Sequence, residues 1–338
     1  AVVKANAYGH GDVEVARAAL DAGATWLGVA LVEEGIKLRE AGIDAPILLL
    51  VEATPDAADA ILAHRLTPSV STRSAVDALA SAARRASTTL DVHVCVDTGM
   101  HREGAPIEQA IDLVSEVVRT DGLHVDGLWS HFAMGELDEH PFTVSQIERF
   151  ADLVDHVERL GIDLRIKHLT SSAGIVLYPR SHFDLVRMGI MLYGLYPNEA
   201  IRERCVLQPA MRLTSSVGLV RRIGAGEGVS YGHTFAPERD TTIVTIPVGY
   251  GDGVARLLTN TGDVLIGGKR RRIAGRVTMD TIMADLGDDD VSTGDEVVLI
   301  GSQGDDEITA TEIADRTGTI NYEVVCSVGP RVPRTYRS

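Results

Sequence analysis

The first 200 residues alternate between short runs typical of β-strands and longer Ala-rich segments typical of helices. The strand-like runs are eight in number: Ala1–Ala5, Trp26–Ala30, Ile47–Val51, Thr67–Val70, Leu90–Asp97, Val125–His131, Arg165–Leu169 and Asp184–Met188. Between them, apolar residues recur at three- and four-residue spacing, as one face of a helix requires. Eight such units in about 200 residues predict a parallel sheet closed into a (β/α)8 TIM-like barrel. No G-x-G-x-x-G follows the first run, which disfavours a dinucleotide-binding fold.

From about residue 206 the pattern changes. The runs are β-branched, alternate in polarity and are separated by Gly and Asp turns: Met211–Ile223, Thr241–Val248, Asp263–Ile266, Arg272–Val277, Thr281–Leu286 and Glu296–Ile300. These features are typical of antiparallel strands. One short helix is predicted at Thr309–Thr317. The sequence therefore predicts a barrel over residues 1–205 and a mostly antiparallel β domain over residues 206–338.

Charge and composition exclude several classes of protein. The formal net charge is −16, and the only dense basic run is Lys269–Arg272, which we predict to be a solvated hairpin tip, so no nucleic acid is expected. No apolar run approaches the roughly 20 residues of a membrane span. The three cysteines are far apart and form no CxxC pair, so no metal site is expected and a cytoplasmic location is favoured. Because the chain starts inside a predicted strand without Met, we expect the natural protein to be longer.

Chemically capable side chains follow several predicted strands. In barrels of this kind, the carboxyl ends of the strands carry the site. A lysine there loses its proton more easily when desolvated, and a neutral amine forms a Schiff base with a carbonyl. Ser171-Ser172-Ala173-Gly174 offers hydroxyl and N–H groups to a phosphate, and Tyr8 offers a phenolic donor. Pyridoxal 5′-phosphate satisfies both requirements, with Lys4 as the amine.

Each of these residues also has an ordinary explanation. Lys4 alone would be a solvated charge, Ser171-Ser172 a helix N-cap, His131 a core histidine and Arg187 half of an ion pair. Their coincidence at one end of one predicted barrel favours a functional site over the separate explanations.

A longer set of motifs resembles the alanine racemase family. The most specific is Val3-Lys4-Ala5-Asn6-Ala7-Tyr8-Gly9-His10-Gly11, which is similar to the lysine signature of these barrel-type, fold type III enzymes. The resemblance continues in order through Asp97–Met100, Ser130–Phe132, Arg187–Ile190, Ser230–Gly232, Pro247–Gly253, Gly275–Asp280 and Arg331–Arg334. It therefore covers the whole chain.

The resemblance implies a pair of bases. Lys4 would hold the cofactor as a Schiff base and act as one catalytic base. Tyr231, in the β domain, would act on the opposite face of the substrate, since racemisation removes a proton from one face of Cα and returns it to the other. In this family the tyrosine serves the partner subunit's cofactor, so a head-to-tail homodimer is implied.

The resemblance also assigns the surrounding residues. Arg187 would face the pyridine nitrogen, and a guanidinium stays protonated and cannot accept that nitrogen's proton. His131 would support Tyr231 and Arg187 through hydrogen bonds. The phosphate would be held by Tyr8, Ser172 and the N–H groups of Gly189 and Ile190. Substrate would meet Arg102 and Met279, and Tyr250, Arg276 and Asp280 would shape the corridor that leads to the site.

Three positions depart from the family pattern. Cys95 stands where many members carry a lysine modified by carbon dioxide, so another anion or different side-chain contacts must position Arg102. Ser171 replaces an asparagine beside Ser172, and Pro330 replaces a tyrosine that helps to hold the phosphate in several members. Pro has no N–H donor, so one phosphate contact is expected to be lost or made by water.

The implied reaction interconverts L-alanine and D-alanine and supplies D-alanine for peptidoglycan. A racemase for serine or for a broad set of basic amino acids is the nearest alternative, and the pocket near Met279 and Tyr250 would decide between them. A barrel that binds the cofactor without catalysis generally lacks a β domain. A decarboxylase on the same architecture needs no tyrosine on the opposite face.

Overall fold

A computed structural model of the chain describes residues 1–337. The chain divides into two units. The first contains Ala1–Ala7 and Gly11–Leu207, and the second contains Tyr8–His10 and the residues from Gln208 onward. Among the described residues, no helix is long and apolar enough to cross a bilayer.

The first unit is built on one parallel sheet. Its strands in chain order are β1 (Leu27–Val29), β2 (Ile47–Leu49), β3 (Thr67–Val70), β4 (Leu90–Asp97), β5 (Ala105–Pro106), β6 (Leu123–Trp129) and β7 (Ile166–His168). The order across the sheet is β1-β2-β3-β4-β6-β7, and the short β5 pairs with β4. Helices connect the strands at Asp12–Asp21, Val32–Glu40, Ala58–Ala63, Arg73–Arg85, Ile107–Arg119 and Pro141–Arg159, with short ones at Ser172–Leu177 and Glu199–Arg202.

Single bridges link the two edge strands of this sheet. Val2 bridges Gly28 of β1, and its N–H donates to the Met188 carbonyl at 2.9 Å. Arg187 in turn bridges Ser171, just beyond β7. The sheet therefore curls into a barrel. The predicted strands Ala1–Ala5 and Asp184–Met188 were wrong as full strands, because each contributes only one or two residues to the ring.

Helix burial follows the apolar spacing of the sequence. In Ile107–Arg119 the buried residues are Ala110, Leu113, Val114 and Val117, which lie three and four positions apart. Burial of this stripe, at about 25 cal/mol per Å² of apolar surface, is what holds such a helix on a sheet.

A left-handed turn directly follows Lys4. Ala5, Asn6, Ala7 and Tyr8 all have φ between 52° and 54°. This region costs an L-residue about 1–2 kcal/mol, so four in succession are strained. Hydrogen bonds offset the strain: the Ala7 N–H donates to the Val3 carbonyl at 2.9 Å, and the Asn6 carbonyl accepts from Gly11 at 2.9 Å. This turn ends the extended backbone at Val3, which the sequence did not predict.

The second unit is mostly antiparallel β. Its strands are β8 (Leu213–Ser216), β9 (Leu219–Ile223), β10 (Thr241–Ile246), β11 (Asp263–Ile266), β12 (Lys269–Ile273), β13 (Ile282–Gly287), β14 (Glu296–Gln303) and β15 (Asp306–Ile308). The sheet order is β15-β14-β11-β12-β13-β10-β9, with β8 paired to β14. Two helices follow, Ala310–Thr317 and Asn321–Cys326. The predicted fold class, a barrel followed by a mostly β domain, is confirmed.

Gly9 belongs to the second unit. Its φ is 81°, and a Cβ there would lie 2.0 Å from the Val325 carbonyl oxygen. Only glycine fits this position. The Gly9 carbonyl also accepts two hydrogen bonds from the Arg334 guanidinium, at 3.1 and 2.9 Å. The motif Tyr8–His10 is thereby tied to the carboxyl-terminal residues.

The basic run is a strand and not a hairpin tip, so that prediction was wrong. It forms β12, and the turn lies at Gly267-Gly268. Acidic neighbours neutralise it: Arg270 pairs with Asp306 at 3.0 Å and with Glu312 at 2.5 Å. The run is a structural ion-pair network of the β domain.

We expect Arg270→Ala to lower the free energy of unfolding by about 1–2 kcal/mol, because it leaves two half-buried carboxylates without their partner. Urea unfolding measures the loss. The matched control is Arg65→Ala, since Arg65 and Asp44 form a pair with side chains 71% and 83% exposed. The control should lose less than about 0.5 kcal/mol. Equal losses would show that the network adds nothing beyond an ordinary surface pair.

Candidate functional site

The predicted site residues fall into two groups, one in each unit. The first group centres on His131, which is partly buried. Burial lowers the pKa of His131 well below its usual value, and the nearby charges of Arg187, Arg102 and Lys4 lower it further. His131 is therefore neutral. The structure thus brings Lys4, Arg102, His131 and Arg187 together in a cationic pocket suited to an anionic ligand.

Arg187 is held on most of its guanidinium. Nη1 donates to His168 Nδ1 at 2.8 Å, and Nη2 contacts the Ser130 and Leu169 carbonyls and His131 Nδ1 at 2.8–3.0 Å. Its guanidinium carbon lies 4.8 Å from the Trp129 ring centre. Burial lowers the pKa of Arg187 to about 10, so it stays protonated near neutral pH. Within residues 1–337, its Nε–H and one Nη1–H are left without a hydrogen-bond partner.

Ser172, Gly189 and Ile190 also converge in the first unit. The Ser172 hydroxyl accepts from the Gly189 N–H at 2.9 Å and from the Met191 N–H at 3.4 Å. Ile190 begins a 3₁₀ turn, so its N–H has no partner inside that turn. The Ser172 hydroxyl proton and the unpaired Ile190 N–H are suited to hold phosphate oxygens, and Gly189 places its N–H beside them.

Cys95 lies beside Arg102. The two residues line one small cavity together with Glu103, Trp129 and His131. Burial raises the pKa of the Cys95 thiol to about 12, so position 95 carries no charge. The loop that carries Arg102 is instead fixed by Asp97, whose carboxylate accepts N–H bonds from Gly99, Met100 and His101 at 2.8–3.1 Å. Arg102 forms no ion pair within the described chain, which leaves its guanidinium available to a ligand.

The second group lies in the β unit around Tyr231, whose side chain is 72% exposed. Ser230 donates its hydroxyl proton to the Arg276 carbonyl at 2.8 Å, and a Cβ on Gly232 would lie 3.3 Å from the Arg276 guanidinium. The turn that carries Tyr231 therefore lies against Arg276.

Tyr250, Met279 and Asp280 lie on two neighbouring loops of the same unit. The Tyr250 N–H donates to the Thr278 carbonyl at 2.9 Å. Arg331 joins the loops, because it bonds Asp252 at 2.7 Å on the first loop and Asp280 at 2.8 Å on the second. Tyr250 and Met279 are about half exposed.

Tyr8 is also part of the β unit. Its ring centre lies 6.3 Å from that of Tyr322. Burial, with the charge of Cys326 as a smaller cause, raises the pKa of Tyr8 to about 12. Its hydroxyl therefore stays protonated and can donate a hydrogen bond.

One group of described residues has the composition of a metal site, namely Asp91, His124 and Asp126. Arg165 already binds both oxygens of Asp126 at 2.6 Å. A cation would have to displace that guanidinium, so the group is better described as an ion pair.

Two buried histidines, His93 in β4 and His168 in β7, were not predicted from the sequence. A signal was present. Each is a single histidine among apolar strand residues, at a position that alternation directs to the barrel interior.

Comparison with known proteins supports one family. The model of the alanine racemase N-terminal domain matches residues 1–197, and that of the C-terminal domain matches residues 210–336. An alanine racemase of Carboxydothermus hydrogenoformans is 45% identical over 337 residues, which cover 99% of this chain and 91% of the relative. One from Frankia casuarinae is 45% identical over 341 residues, which cover 99% of this chain and 89% of the relative.

Solved structures agree with the family models. The alanine racemase from Streptomyces lavendulae is 40% identical with a TM-score of 0.94, and the match covers 100% of this chain and 90% of that one. A histidine racemase of Leuconostoc mesenteroides matches with a TM-score of 0.93 at 30% identity, over 100% of this chain and 90% of that one. Matches of this extent, over both domains and in sequence as well as structure, show that the chain belongs to the alanine racemase family of enzymes.

Proposed function

We propose that this enzyme interconverts L-alanine and D-alanine with pyridoxal 5′-phosphate, Lys4 and Tyr231. The observation that carries the proposal is the place of Lys4. It stands in the family's lysine motif and lies with Arg102, His131 and Arg187 in one cationic pocket. A cofactor that carries both an aldehyde and a phosphate would bind Lys4 through its aldehyde, and its negative charge would be attracted by the cationic side chains.

The residues present fit the cofactor. Lys4 would bind its aldehyde, and Ser172, Gly189 and Ile190 would hold its phosphate with the Tyr8 hydroxyl. The Arg187 Nε–H makes no hydrogen bond within the described chain, and it would meet the ring nitrogen. When bound, the cofactor withdraws electrons from the substrate Cα and so weakens its C–H bond.

Lys4 and Tyr231 are proposed as the two bases. The Lys4 amine accepts a proton from one face of Cα, and the Tyr231 hydroxyl supplies one to the other face. In the reverse direction the two residues exchange these tasks. Two bases on opposite faces are the minimum that inverts a carbon centre without rotation of the substrate.

Arg187 is proposed to restrain the chemistry. Its guanidinium stays protonated, so it cannot take a proton from the ring nitrogen. A ring nitrogen without a proton is a weaker electron sink, which disfavours side reactions such as transamination. Neutral His131 accepts a hydrogen bond from Arg187 Nη2 and keeps the guanidinium in place.

Arg102 is proposed to bind the substrate carboxylate, with Met279, Tyr250 and Asp280 setting the size of the channel that leads to the site. A racemase for another amino acid is the second candidate, because a histidine racemase has the same fold at 30% identity. A panel that includes alanine, serine and histidine separates the two. A kcat/KM for histidine or serine above that for alanine would overturn the alanine assignment.

We infer that the enzyme is a head-to-tail homodimer in the cytoplasm and that its D-alanine is used for peptidoglycan. The exposure of Tyr231, at 72%, is what a side chain that serves another subunit requires. Each site would combine Lys4 of one subunit with Tyr231 of the partner subunit.

We expect Lys4→Ala to lose the absorption band of the covalently bound cofactor together with racemisation, since no amine remains to hold the aldehyde. Borohydride reduction and peptide mapping of the unsubstituted enzyme should label Lys4 alone of the four lysines. Lys37→Ala is the control, because Lys37 pairs with Asp12 at 2.7 Å and should leave the band unchanged. A label on Lys37, Lys167 or Lys269 would contradict the assignment.

We expect Tyr231→Phe to lower the rate of racemisation about 10²–10⁴-fold and to retain the cofactor band, because only a proton donor is removed. Chiral analysis in deuterated water measures it. Exchange at Cα of one enantiomer should persist through Lys4. Tyr196→Phe is the control, since the Tyr196 hydroxyl accepts from the Leu207 N–H at 2.7 Å. Carbon dioxide release from alanine would instead indicate a decarboxylase.

Mixing the two inactive variants tests the shared site. A mixed dimer of Lys4→Ala and Tyr231→Phe subunits holds one site with both bases intact. Random exchange of subunits should therefore restore about a quarter of the activity. Restoration should follow the appearance of mixed dimers by native mass spectrometry. If mixed dimers form without activity, each site takes both bases from one subunit.

A further inference from the structure

A line of hydrogen bonds crosses the interior of the barrel. It starts at Arg187, whose Nη1 lies 2.8 Å from His168 Nδ1. His168 Nε2 lies 2.9 Å from His93 Nδ1, and His93 Nε2 lies 3.3 Å from Asp126 Oδ2. Arg165 closes the line with two bonds of 2.6 Å to the Asp126 carboxylate. The line joins the site to the amino-terminal ends of the strands, where Asp126 lies.

The two ends of the line fix every proton within it. A guanidinium only donates, so His168 Nδ1 must accept and its proton sits on Nε2. His93 Nδ1 then accepts from His168, which places the His93 proton on Nε2. That proton is donated to Asp126, whose carboxylate only accepts. All three bonds therefore run in one direction, from cation to anion.

The barrel is shaped to hold these rings. His93 and His168 are 0% exposed. A Cβ on Gly127 would lie 2.7 Å from His93 Nδ1, so only glycine leaves room for the imidazole. Trp129 stacks on His168 at 5.7 Å with an angle of 12° between the rings. Inward positions of small barrels are ordinarily filled by apolar side chains, so two fitted imidazoles call for an explanation.

Arg187 needs a counter-charge. It is 5% exposed, and among the described residues it forms no ion pair with a carboxylate. A buried charge without a partner is costly. The ionised carboxylate at the end of its line is Asp126. Burial favours the neutral carboxyl, but the hydrogen bonds from His93 and Arg165 outweigh it and hold the pKa of Asp126 well below its usual value.

The imidazoles stay neutral between these charges. Burial is the main cause that lowers the pKa of His93 and of His168. Neutral imidazoles polarise along a hydrogen-bonded chain, and each bond strengthens the next. The negative end thus makes His168 Nδ1 a better acceptor for Arg187.

We propose that Asp126 is the counter-charge of Arg187, and that His93 and His168 are positioning residues that carry its influence across the barrel. The consequence for catalysis rests on the proposed function, in which Arg187 faces the cofactor ring. His168 restrains Nη1 and so fixes the orientation in which the guanidinium meets that ring. The exposed Arg165, with 61% of its side chain accessible, partly screens Asp126 and so weakens the effect.

Substitutions of Asp126 and Arg165, at the end of the line far from Arg187, distinguish an effect of charge from an effect of altered side-chain packing. Asp126→Asn keeps an acceptor for His93 and removes the charge. Arg165→Met removes the screening cation and leaves Asp126 in place. Asp288→Asn is the control, because it makes the same change in charge in the β unit, where Asp288 bonds Arg222 at 2.9 Å, outside the line.

The readout is the proton resonance of the ring N–H groups of His93 and His168, in full-length protein labelled with ¹⁵N-histidine at mildly alkaline pH. Stronger hydrogen bonds move such resonances downfield. We expect both to move upfield in Asp126→Asn and both to move downfield in Arg165→Met, with neither moving in Asp288→Asn. If only His93 responds in Asp126→Asn, no influence passes to Arg187. If both variants shift the resonances in the same direction, altered shape is the cause. Either result overturns the proposal.

If Asp126→Asn does not fold, Arg165→Met alone decides, because the lost side chain is mostly exposed. With pyridoxal phosphate, Asp126→Asn should raise the dissociation constant about 5–150-fold, the usual range for coupled groups, and Arg165→Met should not raise it. An unchanged constant in Asp126→Asn would overturn the link to the cofactor. If the unsubstituted chain binds no pyridoxal phosphate, the proposed function fails, while the two resonances still test the line.

Discussion

A buried guanidinium without a carboxylate neighbour is the constraint around which the first unit is arranged. Arg187 is held by two main-chain carbonyls, two imidazoles and the face of Trp129. None of these groups neutralises it by direct contact. A cation kept protonated at the mouth of a barrel, next to Lys4 and Arg102, makes the pocket attractive to anions. The buried guanidinium also requires polar partners inside the barrel, and His168, which bonds His93, is one of them.

The second constraint is strain beside the lysine. Four left-handed residues follow Lys4, and backbone strain of this kind persists only where the surrounding structure imposes it. Asn6 and Glu34 supply part of that restraint, since the Glu34 carboxylate accepts from the Ala5 N–H at 2.6 Å. Gly9 ends the turn against the Val325 carbonyl, where no side chain fits. The residues of the lysine motif are therefore required for the backbone conformation as well as for the chemistry of Lys4.

The two proposed bases belong to different units of the fold. Lys4 is partly buried in the barrel, whereas Tyr231 is exposed on a turn of the β unit, against Arg276. The exposure of Tyr231 is consistent with a side chain that serves another subunit. Asp97 has a separate role in the first unit. With a neutral thiol at Cys95, three backbone N–H bonds to Asp97 take over the task of fixing the loop of Arg102.

The sequence by itself determined the two-domain architecture, and the helix predicted at Thr309–Thr317 is found at Ala310–Thr317, because burial follows periodicity. The lysine, tyrosine and arginine motifs also identified the family, which the comparisons confirmed. Tertiary structure decided the rest. The left-handed turn replaced a strand because hydrogen bonds from distant residues impose it. The Lys269–Arg272 run is a strand whose charges are neutralised by Asp306 and Glu312. These acidic residues lie far along the chain, so the sequence did not predict the pairing. The line from Arg187 to Asp126 joins Arg187 to three neighbouring strands, β4, β6 and β7. These residues lie far apart in the chain, so local sequence carries no information about their contacts.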